Sequence, residues 1–224
     1  MQRLEIDAET LRINYWKSIN RGLDRYLQDL KGIVLLIHNS AEIDDILSFL
    51  KRLRPKDELD ILYISLVRSF YHIKLFFDER KLDKKRLHVL DCVSSMITDI
   101  DDKGIFRGEE DIEAIFRRPP SDFHRLEGLV SEGLESLKKS GVLADMVVVD
   151  SISQLINLTF PTESQLRDFY SFLNAIRNKL MGVMHDTFIL LYDDKIGYVR
   201  HIPIVHADHI IRMEVIREKP SWRG

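Results

Sequence analysis

Lys31-Gly32-Ile33-Val34-Leu35-Leu36-Ile37-His38-Asn39-Ser40-Ala41-Glu42-Ile43-Asp44-Asp45 is the stretch on which the reading of this chain turns. Residues 32–38 form a short apolar run rich in branched side chains, which predicts a buried strand. From Ala41 to Leu53 the period changes. Ile43, Ile46, Leu47 and Leu50 fall on one face of a helix that stops before Pro55. A strand followed at once by an amphipathic helix is the first half of a parallel crossover unit.

Working outward, the same alternation recurs. Asp60–Leu66 predicts a second strand, and a helix carrying Phe70, Ile73, Leu75, Phe76 and Phe77 follows it. Arg86–Val93 predicts a third strand and Asp145–Asp150 a fourth. Between these two lies a helix marked by Phe123, Leu126, Val130, Leu134 and Leu137, with Gly141 as its C′ residue. Thr162 and Gln165 form a capping box for a helix over 163–181 that stops at Gly182. Thr187–Tyr192 and Ile210–Ile216 predict the last strands. Before the first strand, Leu11, Tyr15, Ile19, Leu23, Tyr26, Leu27 and Leu30 mark an amphipathic helical segment over about 1–30, with Gly22 as a break. Residues 98–121 interrupt the rhythm. They read as a long insertion loop with a short helix at Ile112–Phe116. A connection of this length carries either a binding or lid role or is a plain mobile insertion. Apolar strands alternating with helices predict a single α/β domain over residues 1–224, its mostly parallel sheet covered on both faces.

Composition narrows the function. The chain has 224 residues, 45% hydrophobic and 31% charged, so it is globular rather than disordered. A net charge of −3 gives no general argument for nucleic acid, although a local basic patch stays open. The single cysteine, Cys92, cannot close an intrachain disulfide, which fits a reduced, cytoplasmic setting. The N-terminus lacks the apolar core of a signal peptide, and no apolar run approaches the roughly 20 residues that span a bilayer.

Three further segments carry a family resemblance. Ile19-Asn20-Arg21-Gly22-Leu23-Asp24-Arg25-Tyr26-Leu27 contains a Gly-Leu-Asp segment before the first strand. Met146-Val147-Val148-Val149-Asp150-Ser151-Ile152-Ser153 is an apolar run ending in Asp-Ser. His206-Ala207-Asp208-His209-Ile210-Ile211-Arg212-Met213-Glu214 places Ala-Asp before a late strand. In their order and spacing these resemble the RecA-like ATPases, most closely the archaeal KaiC-like branch. The resemblance implies a RecA-like three-layer core with a twisted, mostly parallel sheet flanked by helices. It makes Asp150 and Ser151 a Walker B remnant, with Asp150 the residue that organises Mg²⁺ in an active relative.

The departures matter as much. A phosphate-binding join between strand and helix is Gly-rich and ends in Gly-Lys-Ser/Thr. Here the join is His38-Asn39-Ser40-Ala41-Glu42, with no glycine to close around phosphate and no lysine to meet its charge. Glu42, Asp44 and Asp45 stand where an anion needs positive potential. With Asn39 as N-cap and Glu42 at N3, the helix N-terminus is satisfied from within. The family's glutamate after strand two is missing as well, since the chain reads Ser65-Leu66-Val67-Arg68 there. The expectation is an inactive paralogue with a degenerate P-loop, no catalytic residue, no cofactor and no metal.

Other candidates have bland readings beside them. His201, His206 and His209, with Asp208 and His185, form a histidine-rich patch; ordinary surface histidines are the expected reading and metal the alternative. Cys92 reads as a buried structural thiol rather than a nucleophile. Ser151 has no flanking elbow glycines, which argues against a hydrolase serine. Arg117-Arg118 and the tail residues Arg217, Lys219 and Arg223 read as solvated charge, with an acidic or nucleic-acid partner as the alternative. The chain is therefore expected to be a non-catalytic scaffold or regulatory protein, in signal transduction by analogy with KaiC-like proteins. Its expected partners are a second copy of itself or an active paralogue. A nucleotide- or nucleic-acid-binding module is the alternative, and no membrane partner is expected.

Overall fold

The structure is a computed structural model. It describes residues 22, 25–28, 30–39, 43–53, 59–80, 86–96, 105–107, 113–153, 155, 163–180, 187–194 and 206–213. In chain order the elements are β1 (Gly32–His38), α1 (Ile43–Leu53), β2 (Ile61–Ser65), α2 (Phe70–Arg80), β3 (Leu87–Asp91), β4 (Ile105–Arg107), β5 (Glu113–Phe116), α3 (Phe123–Lys139), β6 (Met146–Asp150), α4 (Glu163–Ala175), β7 (Thr187–Asp193) and β8 (His209–Met213). The last turn after α4 widens into a π-helix, Ile176–Leu180.

The strands form one eight-stranded sheet in the order β4-β5-β3-β2-β6-β7-β1-β8. Every pairing is parallel except that of β4 with β5. The expected α/β core with a mostly parallel sheet is what the chain forms. The central strands are near-continuous apolar runs because both faces are covered. Alternation along each strand divides them between two clusters. Ile33 and Leu35 of β1, Val147 and Val149 of β6, and Phe188 and Leu190 of β7 pack on the α3/α4 side. Val34 and Leu36, Met146 and Val148, and Ile189 and Leu191 pack on the α1/α2 side. Leu27 and Leu30, which precede β1, also join the α1/α2 cluster.

The connections place the site. The crossovers β1-α1-β2 and β2-α2-β3 step one way across the sheet, whereas β5-α3-β6 and β6-α4-β7 step the other way. Right-handed crossovers in opposite directions put their helices on opposite faces, as the two clusters show. The adjacent strands β2 and β6 therefore send the chain to opposite faces. That is a topological switch point, where ligand crevices of open α/β sheets form at the carboxyl ends of the strands.

Within residues 98–121, the described parts, 105–107 and 113–121, differ from expectation. Where a short helix is expected at Ile112–Phe116, Glu113–Phe116 is instead β5, paired parallel to β3 and antiparallel to β4, and Ile112 lies outside the described residues. Ala114 and Phe116 are buried, and Phe116 meets Phe70 edge-to-face at 6.1 Å. The open edge of β3 takes up this segment, and side-chain burial decides in favour of strand. The expected Asn39 cap of α1 involves Ser40, Ala41 and Glu42, which lie outside the described residues, as do most of the positions 1–30. The helix over 163–181 is found as α4 and its π-helical extension; Thr162 and Gly182 lie outside the described residues.

Both ends of α3 follow from local chemistry. Asp122 is the N-cap, with an extended backbone, and its Oδ1 accepts from Arg125 N at 2.8 Å. Gly141 has φ +77°, and Val142 N donates to Leu137 O at 3.0 Å, the helix-ending pattern that a left-handed C′ residue permits. At the start of β1, Gly32 has φ +96°, and a Cβ there would stand 2.6 Å from Asp208 Oδ2. That same oxygen accepts from Ile33 N at 2.8 Å. The glycine is thus required by conformation and by space.

Two substitutions test these joints in denaturant melts. Gly32→Ala is expected to cost about 1–3 kcal/mol, and no change in midpoint would contradict the steric argument. Asp122→Ala is expected to cost about 0.5–2 kcal/mol at neutral pH. The hydrogen bond from Arg125 N holds the Asp122 carboxyl below its ordinary pKa. Its contribution is therefore present above the unfolded-state carboxylate pKa and is lost as pH falls through the lower folded-state value. The gap between wild type and Asp122→Ala should narrow in acid; a gap independent of pH would contradict the cap.

Candidate functional site

The carboxyl ends of β1, β2, β6 and β7 bring together His38, Tyr63, Ser65, Asp150 and Asp193, all buried. Tyr63 lies opposite Val148, and Ser65 opposite Asp150, in the β2–β6 register. Asp150 is 0% exposed. Its Oδ2 accepts two close hydrogen bonds, one from the Tyr63 hydroxyl and one from an Arg68 guanidinium nitrogen. Asp150 Oδ1 has no hydrogen-bond partner among the described residues.

The turn after β2 carries Arg68 to this place. Ser65 Oγ donates to Arg68 O at 2.6 Å and accepts from Arg68 N at 3.0 Å. Leu66 N donates to Asp150 O at 2.5 Å. The four residues Ser65–Arg68 are thereby wrapped around one hydroxyl, and α2 begins at Phe70, one residue beyond the turn. The charges are settled locally. Burial opposes the Arg68 charge, but Asp150 and Tyr63 outweigh it and raise the guanidinium pKa further. Burial and the Asp150 carboxylate push the Tyr63 phenol well above its ordinary value, so it stays a donor. Burial lowers the His38 pKa, although Asp193, Asp150 and Asp194 pull it the other way.

Ser151, joined to Asp150 by a cis peptide bond, is occupied by structure. Its Oγ donates to Leu191 O at 3.0 Å and shares a close hydrogen bond with Ser153 Oγ, which accepts from Asp193 N at 3.2 Å. This hydroxyl pair ties the end of β6 to β7 and leaves Ser151 no nucleophilic role. Of the two residues expected as a Walker B remnant, Asp150 lies at the switch point and Ser151 ties β6 to β7. The resemblance implies a Mg²⁺ ion at Asp150, and the residues present do not fit one. The Oδ2 oxygen is already shared by a phenol and a guanidinium. Among the described residues no group of three or more His, Cys, Asp or Glu is arranged to hold a metal.

The remaining candidates serve the fold. Cys92 is buried, and burial with the nearby Asp91 charge pushes its thiol up to about 12, far from a reactive thiolate. Asp208 Oδ1 accepts from Arg177 at 2.7 Å, and its Oδ2 holds Ile33 N. His209 lies 3.1 Å from both the Tyr26 hydroxyl and Lys31 O, and the His206 ring stacks edge-on against Tyr170 at 4.4 Å. The histidine-rich patch is therefore a joint between β8, β1 and α4; His185 and His201 lie outside the described residues, as do Arg217, Lys219 and Arg223. Arg117 is not simple solvated charge. Its Nε donates to Glu132 of α3 at 2.8 Å, and its NH1 donates to Phe116 O at 2.7 Å.

Sequence reasoning missed Tyr63 and Arg68. Tyr63 read as one more apolar strand residue, and Arg68 was noticed only as the absence of a carboxylate. The available signal was the sign of the charge: an arginine three residues past the end of one strand, and an aspartate at the end of the neighbouring strand.

No family model matches the chain, and no curated protein matches it. Among solved structures it is similar to the flagellar accessory protein FlaH from Methanocaldococcus jannaschii, with 13% identity, a TM-score of 0.43, and coverage of 88% of this chain and 79% of that one. Among the described residues no helix is long and apolar enough to cross a membrane.

Removing one partner of the buried pair should be expensive. Arg68→Ala is expected to cost about 3–5 kcal/mol in urea melts at neutral pH, because Asp150 is left charged and buried. Combining Arg68→Met with Asp150→Asn should cost less than the sum of the single changes; additivity would mean that the two side chains act independently.

Proposed function

We propose that this chain is a non-catalytic, RecA/KaiC-like scaffold or regulatory protein that works through protein contacts. The observation that carries the reading is the self-neutralised carboxylate at the switch point. Asp150 is answered by Arg68 and Tyr63 of the same chain. The join after β1 adds to this, since Asn39-Ser40-Ala41-Glu42 offers neither the backbone freedom nor the cation that phosphate binding uses. The KaiC-like resemblance supplies the setting, regulation or signal transduction in the cytoplasm, and the expected partners are a second copy or an active paralogue.

The surface of α2 supports a contact role. Phe70 and Ile73 face the core, yet Tyr71 is 76% and Leu75 49% exposed one turn apart on the same helix. A helix apolar on both sides is usually covered on both sides.

The test is isothermal titration of the purified chain with ATP and Mg²⁺, beside light scattering for its association state. No saturable heat and a defined oligomer, alone or with a paralogue, are expected. A dissociation constant in the low micromolar range or tighter would overturn the reading.

A further inference from the structure

We propose that Arg68 is a tethered counter-cation that closes a latent divalent-cation site at Asp150, an autoinhibitory contact built into the turn after β2. The inference rests on the closed-site reading and says how the closure is made. Asp150 is fully buried at the carboxyl end of β6, and its Oδ1 makes no hydrogen bond among the described residues. Buried carboxylate oxygens are normally satisfied, so this is an acceptor position left open beside a charge. The other oxygen holds Tyr63 and Arg68 together. Tyr63 brings no charge, so the positive charge on Asp150 comes from Arg68.

Arg68 reaches that carboxylate from the solvent side. Its side chain is 16% exposed while that of Asp150 is 0% exposed. The backbone that carries it is a four-residue turn closed by one hydroxyl, Ser65 Oγ. Among the described residues, the charges around the same crevice include Asp150, Asp193 and Asp194 against Arg68 and Arg212, which pairs with Asp194 at 3.3 Å. Without Arg68 the balance shifts further negative, and a buried, ionised Asp150 must draw a proton or a cation from solvent. Carboxylate oxygens are hard donors suited to Mg²⁺, Mn²⁺ and lanthanides, and Mg²⁺ sites need only one or two carboxylates with water completing the shell.

Terbium(III) is the probe, because Tyr63, hydrogen-bonded to Asp150, is placed to sensitise its luminescence. The wild type should show no saturable signal, whereas Arg68→Ala and Arg68→Gln should each bind one ion. Adding Asp150→Asn to either variant should abolish binding. In the same variants, Mn²⁺ at a hundredfold excess over its dissociation constant should raise the thermal midpoint by about 5–10 °C, with no such rise in wild type. If either variant is unfolded without metal, excess Mn²⁺ should restore its fold. Folded variants that bind no ion, binding that survives Asp150→Asn, unfolded variants that Mn²⁺ does not rescue, or equal binding by wild type would each overturn the proposal. Nucleotide binding by the wild type would instead overturn the closed-site reading, so the two failures are separable.

Discussion

A parallel sheet covered by helices on both faces offers no water beneath its strands, so every charge at a strand end must be answered by the chain itself. Two buried aspartates show two answers. Asp91, at the end of β3, accepts from four donors: Phe70 N, Val93 N, Ser94 N and Ser94 Oγ, at 2.5 to 3.0 Å. No cation is needed, and the carboxylate caps the start of α2 while folding the turn that follows β3. Asp150, at the end of β6, takes a phenol and a guanidinium on one oxygen and leaves the other open. The first arrangement is closed by short-range backbone geometry. The second depends on a side chain brought from the neighbouring strand.

Much of the fold could be read from the sequence because its signals are local or periodic. β1 was legible in full, since its apolar run has a glycine at one end and a polar turn at the other. Gly141 gave the end of α3, and the aliphatic spacing from Phe123 to Leu137 gave its buried face. The insertion was not legible. Glu113-Ala114-Ile115-Phe116 is too short for its period to separate strand from helix, and only the open edge of β3 selects strand. α2 was misleading in another way, since apolar residues on every side do not say which face is buried, and Tyr71 stays exposed while Phe70 does not.

The site was legible at one residue and hidden at two. The Asp-Ser pair at the end of an apolar run drew attention to Asp150 through the family resemblance. Tyr63 and Arg68 are partners by register. Tyr63 lies opposite Val148, two residues before Asp150, and the Ser65 turn folds Arg68 back over the same strand end. These relations appear only once β2 and β6 are neighbours, although α2, β3, β4, β5 and α3 intervene between them in sequence. Asp208 is a similar case. It read as part of a histidine patch, but it binds Ile33 N and Arg177 and fixes β8 to the start of β1.

The arginine at position 68 changes the chemistry available at the switch point in two ways, not one. It supplies the positive charge that pairs with the buried Asp150 carboxylate. It also removes a proton acceptor, because a guanidinium stays protonated in proteins and offers donors only. Among the described residues, two neighbouring groups are constrained by burial. Tyr63 is held protonated by burial and by Asp150. His38 keeps a neutral ring through burial, but it is enclosed at 3% exposure, away from bulk water. What the turn after β2 fixes is therefore the pairing itself: Ser65 Oγ folds the backbone so that Arg68 meets Asp150 beside Tyr63.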